Sequence, residues 1–184
     1  AGDTVRVVAG VYNENVDIAK DITLIGGYDD TSLTARTPRS SIVDGKRSGP
    51  VLRIRNGVNV TVDGFTLRRG DATNVGGAGG GISAQAGTIR IVDNLITDNV
   101  GSSQAALFGM GGGVFITGAL EALVSDNTIE ENVAYSATLA APGDATGGIG
   151  GGLWLDNVAS ATVSDNEMLA NTAARTDIVS PQLF

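Results

Sequence analysis

Three copies of one short unit set narrow limits on what this 184-residue chain can fold into. Gly79-Gly80-Gly81-Ile82, Gly111-Gly112-Gly113-Val114 and Gly150-Gly151-Gly152-Leu153 each lead, at a nearly fixed interval, to Asp93-Asn94, Asp126-Asn127 and Asp165-Asn166. A further Asn follows five residues later every time, as Asn99, Asn132 and Asn171. The units 79–99, 111–132 and 150–171 are 21, 22 and 22 residues long. That length suits one rung of a β-solenoid; it is too short for a propeller blade and has no amphipathic helix for an α/β repeat. The intervening stretches vary, with 11 residues in 100–110 and 17 in 133–149. Stacked parallel strands cannot absorb extra residues without turning side chains to the wrong face, so both stretches are expected to leave one corner as loops.

Within each unit the apolar period is two. Ile89 and Ile91, Ala122 and Val124, Ala161 and Val163 are expected inward, with Arg90, Leu123 and Thr162 outward. The frame extends backward through Val58, Val60 and Val62 if Phe65 takes the place of Asn94 and Gly70 that of Asn99. Ile22 to Gly27 and Ser41 to Gly45 are less regular strand-turn pieces. The expected fold is all-β, a right-handed parallel β-helix forming one segment over residues 1–184. It should have about six or seven rungs and a length on the order of 30 Å. An antiparallel hairpin over 51–58, turning at Asn56-Gly57, is the rival reading, and three copies of one rung outweigh it.

The repeated residues suggest structural roles first. Asn94, Asn127 and Asn166 should stack in one column and Asn99, Asn132 and Asn171 in another, each amide donating to its neighbour; the plainer alternative is Asn as a solvated turn former. The Gly triplets suit corners that need positive φ or a close approach between rungs, and no P-loop spacing accompanies them. Asp93, Asp126 and Asp165 form a column of carboxylates about 5 Å apart, which must be hydrated, splayed or bridged by a cation, with Ca²⁺ the candidate. Asp29-Asp30 is an adjacent pair and a poor general acid/base couple. Phe115 and Trp154 fall at outward positions, as a platform for a sugar or a partner or as the surface beneath a folded-back loop. The two long loops hold Leu107, Phe108, Met110, Tyr135 and Leu139 with one charged residue, Asp144, a composition that suggests a protein interface.

Composition narrows the chemistry. There is no Cys and no His, so thiol nucleophiles, zinc sites and every Ser-His-Asp arrangement are excluded. No apolar run approaches membrane-span length, and membrane insertion by this segment is not expected. Residues 1–90 carry 11 basic against 9 acidic side chains, and residues 91–184 carry one against 11, which accounts for the net charge of −8. That balance argues against a nucleic-acid partner and favours stacking of an acidic end on a basic one. The chain opens on Ala1-Gly2-Asp3 and reads as a processed or partial chain. Neither terminus carries a capping pattern, so a cover from further polypeptide is expected at one end or both.

The Gly-Gly-Gly-aliphatic elements, with Ile96 to Asn99, Ile129 to Asn132 and Met168 to Asn171, resemble the repeats of bacterial polymorphic outer-membrane proteins and related pectin-lyase-like β-helix surface proteins. Ile or Met stands here where that family often has Phe. The opening from Gly2 to Glu14 is similar to the first strand and turn of many such proteins, with Ala9 where Pro is usual. The resemblance implies an exported bacterial protein, extracellular or at the cell surface. Its implied use is structural or adhesive, with other protein subunits or further copies of itself as partners. It carries over no catalytic residue, because the Gly-His-Gly and Arg-Ile-Lys elements of β-helix pectinases do not occur. No cofactor is expected beyond the Ca²⁺ candidate. A polysaccharide-binding or polysaccharide-degrading β-helix is the alternative function.

Overall fold

The period of two becomes strand almost throughout, in a computed structural model that describes residues 2–29, 32–55, 57–85, 87–104, 107–136 and 147–175. Three sheets carry the architecture. The first holds, side by side, β1 (Asp3–Val8), β4 (Ile22–Tyr28), β7 (Val60–Asp63), β10 (Thr88–Val92), β15 (Glu121–Ser125) and β20 (Ala161–Ser164). The second holds β2 (Gly10–Tyr12), β5 (Ser41–Asp44), β8 (Phe65–Arg68), β11 (Leu95–Thr97), β16 (Thr128–Glu130) and β21 (Glu167–Leu169). The third holds β3 (Val16–Ile18), β6 (Leu52–Ile54), β9 (Ile82–Gln85), β14 (Val114–Thr117) and β19 (Leu153–Asp156). Neighbours pair in parallel, and the chain visits the sheets in the same order on each circuit. The hairpin over 51–58 does not form, since β6 pairs in parallel with β3 on one side and β9 on the other. Asn56 itself lies outside the described residues.

Parallel register turns each inward position into an apolar column. Leu24, Val62, Ile91, Val124 and Val163 follow one another across the first sheet, and Val43, Leu67, Ile96, Ile129 and Met168 across the second. Val62, Leu67, Ile91, Ile96, Val124 and Ile129 have no exposed surface, as do Ile82, Val114 and Ile116 of the third sheet. The expected inward set Ile89, Ile91, Ala122 and Val124 is buried, and Arg90 and Thr162 are exposed. Ala161 and Val163 are exposed even though they share those columns, because β20 is the last strand of its sheet.

The variable stretches are only partly loops. Their first residues pair as β12 (Val100–Ser102), β17 (Val133–Ser136) and β22 (Thr172–Arg175), and two of them end as β13 (Gly109–Met110) and β18 (Gly148–Ile149). The stretches 100–110 and 133–149 each lie between a strand of the second sheet and one of the third, so they share one corner. Stacking them in register lets the main chain keep its bonds, as in Val133 N–H to Asn99 O at 2.8 Å and Thr172 N–H to Asn132 O at 2.8 Å.

The Gly triplets occupy the place where this corner meets the third sheet. Gly79, Gly111 and Gly150 have φ of 76°, 54° and 61°. The third glycine is required by crowding instead. A Cβ on Gly113 would lie 2.6 Å from the Gly152 carbonyl oxygen and 3.0 Å from the Asn132 amide nitrogen. Gly113→Ala should therefore destabilise the protein by about 1–3 kcal/mol in denaturant unfolding, whereas Gly49→Ala, whose Cβ would meet nothing closer than 3.6 Å, should cost less. Equal losses at the two positions would contradict the crowding.

Candidate functional site

Both Asn columns follow corners where a non-glycine residue is forced into the left-handed region. Asp93, Asp126 and Asp165 have φ of 54°, 59° and 56°, and Asp98, Glu131 and Ala170 have φ of 53°, 54° and 51°. Such a conformation is unfavourable for an L-residue, so something must hold it. The Asn that follows does so. The Asn94 main-chain N–H donates to Asn127 Oδ1 at 2.9 Å and its Nδ2 to the same oxygen at 3.1 Å, while Nδ2 also reaches the carbonyls of Val62 and Val92. Asn127 repeats this pattern on Asn166 at 3.0 and 2.9 Å. In the second column Asn99 donates to Asn132 Oδ1, and Asn132 to Asn171 Oδ1. Phe65 and Gly70 hold the substituted places, their N–H groups donating to Asn94 Oδ1 at 2.9 Å and Asn99 Oδ1 at 2.8 Å. Asn94, Asn99, Asn127 and Asn132 are at most 1% exposed, which leaves no room for the solvated-turn alternative at these four.

The Asp column meets an arginine. Arg39, from the segment after β4, places Nη2 3.3 Å from Asp93 Oδ1 and 3.0 Å from the Asp126 carbonyl oxygen, and donates through Nη1 to Thr128 Oγ1 at 3.1 Å. Among the described residues no three acidic side chains gather as a cation site. Asp126 and Asp165 are exposed, so their charges splay into water. Asp29 accepts from the Ser32 main-chain N–H and hydroxyl, an arrangement within its own turn, and Asp30 lies outside the described residues.

Other guanidinium groups clamp the same half. Asp44 is fully buried and accepts from Arg68 Nε at 2.9 Å and Arg69 Nε at 2.9 Å. Burial alone would raise its carboxyl, but the Arg69 side chain, the Lys46 N–H and the Arg68 side chain outweigh it and hold the pKa at about 2, against an ordinary 3.8. Arg36 pairs with Asp63 at 2.7 Å, Arg55 with Asp17, and Arg47 with Asp98. The parallel register sets Asp44 beside Arg68, so aligning those two circuits is the one sequence signal for this cluster. Nothing in the sequence brings Arg39 to Thr128, 89 residues away.

The expected apolar interface divides in two. Phe108 is 43% exposed, and Leu107 and Met110 are half-buried beside it in the chain. Tyr135 is fully buried within β17, and Phe115 is 7% exposed in β14, so neither offers a surface to a partner. Strand pairing removed Tyr135 from the loop assigned to it, because the first four residues of that insertion join a sheet. Trp154 is half-buried and paired in register with Phe115. Leu139 lies outside the described residues.

Among the described residues, both ends of the apolar columns keep exposed surface. At the β1–β3 end a cavity of about 270 Å³ is lined by Val5, Val7, Tyr12, Val16, Leu24 and Phe65, among others. At the other end Val163 and Met168 are 45% and 46% exposed. A groove of about 380 Å³ holds two acids, Asp98 and Glu131, with Val133, Ala170 and Thr172 as its other lining residues.

In comparisons with family models, curated proteins and solved structures, none matches the chain.

Two outcomes test the corner chemistry. Asn127→Ala leaves the buried Asn94 N–H without its acceptor and should destabilise by about 1–3 kcal/mol, more than Asn166→Ala, where water can replace the lost oxygen. Denaturant midpoints of the two variants check this ordering. The depressed Asp44 pKa corresponds to about 2 kcal/mol at roughly 1.4 kcal/mol per pH unit. A folded pKa below the unfolded one stabilises fully above the unfolded value, so this contribution should fade as pH falls from about 4 towards 2. Asp44→Asn should accordingly lose stability at pH 7 and show a smaller difference from the parent near pH 2, by chemical denaturation.

Proposed function

We propose that the chain is a segment of a right-handed parallel β-helix, six turns deep, and that it serves as a non-catalytic structural and interaction module on the outside of a bacterial cell. The partner is a protein, engaged through the surface that carries Leu107, Phe108 and Met110. The observation that carries this reading is Phe108, a large apolar side chain 43% exposed beside a corner otherwise locked into stacked strands. A rigid scaffold that presents an apolar loop tip is built for contact. Further support comes from the carboxylates. Asp17 and Asp44 are each held by a guanidinium that favours the ionised form and makes them poor proton donors, and Asp63, Asp93 and Asp98 are each paired with an arginine. The groove holding Asp98 and Glu131 has no aromatic in its lining on which a sugar ring could stack.

A photo-crosslinking amino acid at position 108, compared with one at Gln85 in the third sheet, tests the reading on intact cells. Protein adducts from position 108 and not from position 85 are the expected result. Equal adducts at both positions, or release of reducing ends or unsaturated products from polygalacturonate, would favour the polysaccharide function instead.

A further inference from the structure

The Asn ladder has a direction, and its last members are incomplete. Asn94 and Asn127 send the main-chain N–H and Nδ2 forward to the Oδ1 of the next Asn, and Asn99 and Asn132 do the same. Asn166 and Asn171 are oriented identically, with Nδ2 turned back onto Val124 O at 2.8 Å and Ile129 O at 2.7 Å. Among the described residues none lies forward of them to accept. The inward columns stop at the same place. Val163 and Met168 are 45% and 46% exposed, where Val124 and Ile129, one strand earlier, are 0%. The third sheet ends at β19, with five strands against six in each of the other two.

We propose that this edge docks one further polypeptide turn of the same chemistry. It would lay a Gly-rich aliphatic strand on β19, an alternating strand on β20 and an Asn-x-x-x-x-Asn segment on β21, its amide oxygens accepting from Asn166 and Asn171. Strand addition satisfies the exposed main-chain groups, and the pattern of side chains sets the register. The docking turn carries basic side chains outward, because Asp165 and Glu167 are exposed in a half-chain with 11 acids and one base. A second copy presenting its β1–β3 edge fits less well, despite the complementary charge of the two halves. Following the columns, Gly10 would stand against Asn166 without a side-chain acceptor, and β3 would face a sheet one strand short.

The inference rests on the parallel β-helix reading, and the test separates the two. Residues 111–136 comprise one whole circuit and are appended after Phe184, with Asp126→Lys and Thr128→Lys in the appended copy so that bases face Asp165 and Glu167, and amide hydrogen exchange is compared with the original chain. The Asn166 and Asn171 main-chain amides should slow by at least roughly tenfold, towards the protection of Asn127 and Asn132. Replacing the appended copies of Asn127 and Asn132 by Ala should abolish that gain. If Asn166 and Asn171 exchange as before while Asn127 and Asn132 stay protected, the docking edge is refuted and the fold reading stands. If Asn127 and Asn132 are unprotected in the original chain, the fold reading itself fails. A self-associated original chain in which Asn166 and Asn171 are already protected would make a second copy the occupant and overturn the proposal.

Discussion

The stacked Asn amide is the interaction on which the regular half of the molecule depends. Each corner between the first and second sheets, and between the second sheet and the insertions, needs a residue at positive φ, and in the repeats that residue is an acid or alanine. An amide that accepts from the preceding circuit and donates to two carbonyls satisfies the polar groups the corner exposes and fixes its shape. Because each amide needs a neighbour at the same height, successive circuits must agree in length between the two Asn residues. The second Asn comes five positions after the first every time, and most length variation is passed to the stretch that follows.

Where the ladder is absent, charge takes over its task. The circuits that lack Asn use Phe65, Gly70 and Ser41 at the equivalent places, and Ser41 accepts from the Gly27 N–H at 2.8 Å while donating to the Val8 carbonyl at 2.7 Å. Around them lie the clamps formed by Arg36, Arg39, Arg68 and Arg69, which tie separate circuits through Asp63, Asp93 and Asp44. The uneven distribution of basic residues thus has a structural account: arginines concentrate where no amide ladder holds the corners. Buried or half-buried pairs of this kind resist screening by salt better than exposed ones.

These two modes of support leave the sheet surfaces largely settled and place adaptability elsewhere. The insertions contribute their ends to short parallel strands and present Phe108 outward, and the apolar column ends present Val5 on one side and Val163 and Met168 on the other. Apolar side chains thus stay exposed in an insertion and at the last strands of the sheets, where stacking has no further strand to cover them.

What the sequence determined by itself was whatever recurs. The strand period, the Asn columns, the substitution of Phe65 and Gly70 into them and the shared corner of the stretches 100–110 and 133–149 were legible, because a repeat makes each residue's neighbour a copy of itself at a known offset. Tertiary structure alone decided what does not recur. Tyr135 was assigned to a loop surface and is buried, since whether an insertion joins a sheet depends on main-chain partners in adjacent circuits. Arg39 reaches Thr128 across two circuits and also pairs with the Asp93 carboxylate. A long flexible side chain from a segment outside the repeat can reach any of several columns, and only the folded geometry selects which one.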